Sequence, residues 1–455
     1  MARFRDYKLA RNRDNGGPTM LVRMLVVLCV VSSMALVLQL NLANQQSFML
    51  RNIKGFEEPR GWTPSPAPST CRPRRHLVFL KTHKCGSSTI QNILFRYAFH
   101  NNLSVALPYS GVYLDNTLEG QSLKVKELRD SPFAPPSGKY HFLIHHTRLN
   151  VRAIQQLTYD DSLWITIVRE PSAVFESMFH YYRLHKFYGA TFDHLLWKLE
   201  GGFSSRFKLN NRYMGRLGRN QMTWDMGLDD QDLRQEAVLK EALKLLDHTF
   251  HLVMLAERMD ESLVLLKHLL CWSDEDVLVM SRNVRKDRYR SYLSEQSVAT
   301  LEHFNSMDVK FYSFFRDRFD KQVEAFGRSR MEEEVVSLRE YRDKMWRDCG
   351  MKEAQPKKQG SGSEKEQQYV VQYQVQSNGS MRHRRFCKDL VRTGVEFTQI
   401  LRWKQYSRYH RAVNNPWNIS WSPKFNKKPR RSPKKIPLIS KKNIQKERHS
   451  QHHAR

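Results

Sequence analysis

Between residues 76 and 330, short apolar runs alternate with stretches whose apolar positions recur every three or four residues. The runs His76–Leu80, Tyr140–Ile144, Leu163–Val168 and Phe250–Leu255 predict strands. Ile90, Ile93, Leu94 and Tyr97 fall at i, i+3, i+4 and i+7, one face of a helix behind the first strand. Leu263, Leu266 and Leu270 predict a second helix, with Asp260 as its N-cap. Val309, Tyr312, Phe315, Phe319, Val323 and Phe326 mark a longer one. Strand–helix alternation predicts an α/β fold with a parallel sheet flanked by helices. Ligands of such sheets bind beyond the carboxyl ends of the strands, so the loops that follow the strands are where chemistry is expected.

A different pattern stands near the N-terminus. The run MLVVLCVVSSMALVLQLNL, residues 24–42, carries no charge and is long enough for a helix of about 30 Å, one hydrocarbon core. Arg3, Arg5, Lys8, Arg11, Arg13 and Arg23 precede it, which keeps residues 1–23 in the cytosol. No cleavage site of small residues follows, so the run predicts a retained transmembrane signal-anchor, with everything beyond it lumenal. Residues 43–75, with five prolines, predict a stem. Residues 76–348 form the expected catalytic domain, 349–382 a flexible polar insertion, 383–423 a returning helical part and 424–455 a disordered basic tail. Asn102, Asn378 and Asn418 each open an Asn-x-Ser triplet, which a lumenal address makes a glycosylation acceptor. Five cysteines lie beyond the anchor: Cys71, Cys85, Cys271, Cys349 and Cys387. An odd number leaves one unpaired; Cys85 is expected free, and the pairing of the others stays open.

Apolar residues make up 40% of the 455, enough for a packed core. Lys and Arg number 75 against 46 Asp and Glu, a net charge of +29 that asks for an anionic partner. The tail holds 12 of those cations against one Glu, so the folded part is less basic than the total. The lumenal address disfavours nucleic acid. No His or Cys cluster has zinc-ligand spacing, and no metal is expected.

Two loops then stand out. After the first strand comes Lys81-Thr82-His83-Lys84-Cys85-Gly86-Ser87-Ser88-Thr89, leading into a helix. Two lysines, a glycine that admits close approach, three hydroxyls and the amides of a helix start make a phosphate cradle. It is not a Walker A loop, since no Gly-Lys-Ser/Thr run occurs. After the third strand comes Arg169-Glu170-Pro171, with Ser177 two turns into the next helix, where a guanidinium and a hydroxyl can converge on a second phosphate. Two such loops describe a ligand with two separated phosphates.

KTHKCGSST with REPSAVFES resembles the phosphate loops of sulfotransferases that use 3′-phosphoadenosine 5′-phosphosulfate (PAPS). The longer runs KTHKCGSSTIQNILFRYAFHNNLSVALP, ITIVREPSAVFESMFHYY, NRYMGRLGRNQMTWDMGLD and LVMLAERMDESLVLLKHLLCW resemble the galactose 3-O-sulfotransferase family. The resemblance implies a P-loop-like sulfotransferase fold in a type II Golgi membrane enzyme. Its expected co-substrate is PAPS, without a metal, and its acceptor a galactose-terminated glycan or glycolipid. It implies that Lys81, Thr82, Lys84, Gly86, Ser87, Ser88 and Thr89 hold the 5′ end and that Arg169 and Ser177 hold the 3′-phosphate. Between Ser110 and Lys139 the chain departs from the family pattern, with GVYLDNTLEGQ in a stretch expected to border the acceptor.

Sulfuryl transfer, like phosphoryl transfer, is an in-line displacement governed by positioning and charge neutralisation. The attacking hydroxyl must lose a proton, a task suited to a neutral histidine. His83, inside the first loop, is the expected base. Lys84, then Lys81, would stabilise charge on the leaving oxygen. His145 and His146, behind the second strand, are candidates to contact the sugar or share the proton. Two other classes compete: a metal-dependent glycosyltransferase using Asp230-Gln231-Asp232 or Asp274-Glu275-Asp276, and a non-enzymatic binder acting through its tail. Sulfation of a uronic acid or hexosamine is a variant within the same fold.

Overall fold

The computed structural model describes residues 24–25, 27–34, 71–114, 123–201, 212–229, 236–280, 291–354, 373–377 and 379–410. The elements that matter below are β1 (Leu77–Leu80), α1 (Ser87–His100), β2 (Phe142–Leu143), β3 (Leu163–Val168), α2 (Pro171–Tyr181), α3 (Gln221–Asp225), β4 (Leu252–Leu255), α4 (Met259–Leu270), α5 (Ser306–Phe326), α6 (Arg328–Asp348), β5 (Met351–Glu353), β6 (Tyr373–Val375), α7 (Met381–Val391) and α8 (Gly394–Tyr409). Residues 27–34 of the expected membrane anchor are helical and expose their apolar side chains. The rest of that span lies outside the described residues, and among the described ones no helix is long and apolar enough to cross a membrane. Residues 1–23, most of the stem and the tail also lie outside them.

The main sheet is parallel throughout, in the order β2-β1-β3-β4. β1 and β3 are buried on both faces, as near-continuous apolar strands between helical layers must be. β3 matches the expected bounds, whereas three strands are shorter than expected. His76 precedes β1, which starts at Leu77. Tyr140 leaves the second strand's ladder to bridge Thr158, and its hydroxyl donates to the Leu128 carbonyl. Phe250 still donates its N–H to Leu246 of the preceding helix, so β4 begins at Leu252. Asp260 is not an N-cap: α4 starts one residue earlier, and Asp260 instead accepts from Arg339 and Arg342 of α6 at 2.7 and 2.8 Å.

The C-terminal helices cover the β2 edge. Thr393 and Glu396 cap α8 reciprocally. Phe397 stacks on Phe95 of α1, with ring centroids 5.4 Å apart. Buried Gln405 accepts from the Val105 N–H at 2.8 Å and donates to the Phe133 carbonyl at 2.7 Å, satisfying backbone beside an open sheet edge. α6 was not foreseen as a helix of its own, because its sequence is heavily charged. Only Met331, Val335, Leu338 and Met345 turn inward.

Two disulfides close the body. Cys71–Cys271 ties residues expected at the end of the stem to the turn after α4, where Arg74 N–H also donates to the Leu270 carbonyl. Cys349–Cys387 joins the end of α6 to α7. Beside it β5 and β6 pair antiparallel, so the ends of the expected flexible insertion are ordered. His383 lies within ligand distance of both sulfurs, but their mutual bond leaves them unavailable to a metal. Cys85 is free and fully buried.

Candidate active site

The sheet order sets the order of loops along its carboxyl edge: His145 and His146 behind β2, Lys81–Thr89 behind β1, Arg169–Ser177 behind β3 and residues 256–260 behind β4. Residues of these loops, with His146 but not His145 from the β2 side, wall a cavity of about 1250 Å³, more than one small ligand needs. Lys81, Lys84, Gly86, Ser87, Ser88, Thr89, Arg169 and Ser177 all line it.

The β1 loop is shaped by its backbone. Gly86 caps α1 at φ 74°, and a Cβ there would lie 3.4 Å from Met259 Cε. The contact is ordinary, but the positive φ is one that glycine adopts without strain. Lys84 also takes a positive φ, 59°, which a side chain disfavours. Arg169 holds that turn in place by donating to the Lys84 carbonyl at 3.2 Å, and the Lys84 ammonium sits 3.6 Å from the Tyr181 ring centre. Lys81 is buried and donates to Ser87 and Ser88 at 3.0 and 3.1 Å. Burial, then the charge of Lys84, lowers its pKa to about 7. At neutral pH this site is therefore short of negative charge, and an entering anion would restore the Lys81 proton.

Thr82 does not face the cavity: its hydroxyl donates to the Ile167 carbonyl at 2.6 Å and pins the loop to β3. The β3 loop is ordered by Glu170, whose carboxylate caps α2 by accepting from Ser172 and Ala173 N–H at 2.7 and 2.8 Å. Pro171 takes the first helical position, where its missing N–H costs nothing.

His83 is 4% exposed and is held on its Nδ1 side by a carboxylate that the sequence reading missed. Asp225 Oδ1 lies 2.9 Å from Nδ1, and Oδ2 accepts the His83 backbone N–H at 2.8 Å. Gln221 donates to Asp225 at 2.9 Å. This network places the imidazole proton on Nδ1 and leaves Nε2 as the acceptor. Asp225 and Gln221 ride on α3, a single turn held at its start by Asp308 of α5. Asp308 accepts Met222 N–H at 2.9 Å, and Thr223 N–H and hydroxyl each at 2.8 Å. Burial raises Asp308 to about 6.

The expected histidine pair separates. His146 lines the cavity, stacks on His83 at 4.5 Å, and its Nδ1 lies 3.0 Å from the Lys81 carbonyl. Burial and the Lys81 charge keep its pKa well below the usual value, so it is neutral. His145 is fully buried on the opposite side, bonded to Thr398 of α8 at 2.9 Å, and burial lowers it to about 3. Its side chain does not line the cavity.

The profile of the family Galactose-3-O-sulfotransferase matches residues 11–405. The chain belongs to this family. Among relatives, the human galactosylceramide sulfotransferase is 35% identical over 288 residues, 61% of this chain and 65% of that protein. The match thus spans just under two thirds of that relative. Galactose-3-O-sulfotransferase 3 of Mus musculus is 31% identical over 305 residues, 63% of this chain and 68% of its own. Galactose-3-O-sulfotransferase 4 of Bos taurus is 28% identical over 443 residues, 78% of this chain and 88% of its own.

Of the two Asp-x-Asp runs, the second is described and stands apart from the cavity. Asp274 pairs with Lys267 at 2.7 Å, and Asp276 forms a capping box with Ser273, so neither lines the cavity. Asp230 and Asp232 lie outside the described residues. Of the sequons, Asn102 is exposed with its side-chain oxygen 3.0 Å from Arg408, while Asn378 and Asn418 lie outside the described residues.

Proposed function

We propose that the chain is a sulfotransferase moving the sulfuryl group of PAPS to the 3-hydroxyl of a β-galactoside on a glycolipid or glycoprotein. The observation that carries this reading is the convergence of two linked cationic loops and a carboxylate-backed histidine beside one cavity. Lys84, the Ser87–Thr89 hydroxyls and the α1 amides would bind the 5′-phosphosulfate. Arg169 and Ser177 would bind the 3′-phosphate. The galactose oxygen attacks sulfur as His83 Nε2 receives its proton and Asp225 stabilises the resulting imidazolium. The S–O bond to the 5′-phosphate breaks, and Lys84 and Lys81 neutralise the charge left there. No residue in this scheme requires a metal. We place the enzyme in the Golgi membrane with its catalytic body lumenal, a reading supported by two disulfides and an exposed sequon.

The test is incubation of the full-length protein in detergent with radiolabelled PAPS and a panel of galactosides, uronic acids and hexosamines, followed by linkage analysis. Label at galactose O3 is expected. Label on another sugar alone overturns the acceptor reading. Absence of any affinity for adenosine 3′,5′-bisphosphate overturns the donor reading as well.

A further inference from the structure

His83 Nε2 is the atom turned away from Asp225, and under the reading above it receives the acceptor's proton. It is not open to the cavity. The Tyr113 hydroxyl lies 3.1 Å from it. With Nδ1 committed to Asp225, Nε2 accepts and the phenol donates. Tyr113 is held in this position from several sides. Its backbone bridges His146, and the next residue, Leu114, donates its N–H to the His146 carbonyl at 2.9 Å. Its ring stacks on His146 at 5.0 Å, and the Arg216 guanidinium lies 4.1 Å from the ring centre. Tyr182, whose ring lies 6.3 Å from that of His83, lines the cavity together with His146. The Tyr113 oxygen therefore covers the one ring nitrogen of His83 that Asp225 does not hold.

We propose that Tyr113 is a further catalytic residue, relaying the acceptor's proton to His83. As the galactose oxygen forms its bond to sulfur, its proton passes to the Tyr113 oxygen while the phenol's own proton passes to Nε2. The S–O bond to the 5′-phosphate breaks with its electron pair on the phosphate. Tyr113 ends neutral, His83 ends protonated, and no tyrosinate is left behind. The inference rests on the proposed sulfotransferase reading with His83 as base.

The decisive variant is Tyr113→Phe, which keeps the ring, its stacking and the Arg216 contact and removes one oxygen. In the full-length protein with PAPS and lactose, kcat is expected to fall about 10²-fold, the lower part of the range for a lost proton-transfer group. The acceptor KM and the affinity for adenosine 3′,5′-bisphosphate should not change. A wild-type rate that curves with the deuterium fraction of the solvent, reporting two protons in flight, should become linear in the variant. An unchanged kcat overturns the relay, and so does a lowered acceptor KM at unchanged kcat, which would make the phenol a mere occupant of the sugar's place. If Tyr113→Phe is fully active while His83→Ala is dead, only this inference fails. An active His83→Ala removes the base assignment on which it rests.

Discussion

The two sides of the candidate site are built by opposite means. The β1 and β3 side takes nearly everything it needs from two unbroken stretches, Lys81–Thr89 and Arg169–Ser177, each a loop running into a helix start. The β2 side gathers Tyr113, His146, Gln221 and Asp225 from separate segments around His83, with Asp308 of α5 anchoring the turn that carries Asp225. Binding a phosphate is a local task, met by consecutive amides and nearby cations. Handling a proton requires a directed hydrogen-bond network, and that is assembled through tertiary structure.

The comparison breaks most sharply at His83. Replacing it with alanine should lower kcat about 10²–10⁴-fold with affinity for adenosine 3′,5′-bisphosphate near normal. Asp225→Asn should follow the same split less severely, because an amide cannot stabilise the imidazolium. Loss of nucleotide affinity in either variant would show that the two halves are not separable. On the other side, Lys84→Ala and Arg169→Ala should each weaken that nucleotide about 10–100-fold, the worth of a charged hydrogen bond. Titration calorimetry of both variants checks this, and unchanged affinities would remove the phosphate-binding role.

A subtler test uses Lys81. Its pKa of about 7 should rise when an anion binds, so binding takes up a proton above pH 7 and affinity declines as pH climbs past that value. Calorimetry at pH 8 in buffers of different ionisation enthalpy should detect the uptake, and Lys81→Met should abolish the Lys81 share. The smallest effect on turnover is expected far from both halves. Replacing Cys349 and Cys387 together by alanine should cost about 2–4 kcal/mol of stability and lower Tm, while kcat at 25 °C stays near wild type. A collapse of kcat there would mean that the C-terminal helices do more than cover the β2 edge.

The same contrast explains what the sequence could disclose. β3 is apolar at five of its six positions, Thr166 being the exception, and its bounds are readable directly. So were the cationic loops and Cys85 as the free thiol. Thr82 and His145 fit the motif by position, but their side chains turn to Ile167 and Thr398, a direction that spacing does not encode. Asp225 stands 142 residues from His83 and shares no periodic pattern with it. Its only trace was membership in the NRYMGRLGRNQMTWDMGLD run. Asp260 looked like a helix cap because an acidic residue before a leucine pattern usually is one. Its true partners, Arg339 and Arg342, lie on a helix too charged for its apolar face to stand out.

The bond from Arg169 to the Lys84 carbonyl makes one mechanical unit of the two loops proposed to bind the nucleotide. A nucleotide lacking the 3′-phosphate would forfeit that phosphate's own contacts and also leave the neighbouring turn less well braced. Discrimination between adenosine 5′-phosphosulfate and its 3′-phosphorylated form should therefore exceed the sum of the contacts made by the missing group, with selectivity arising from the joint itself.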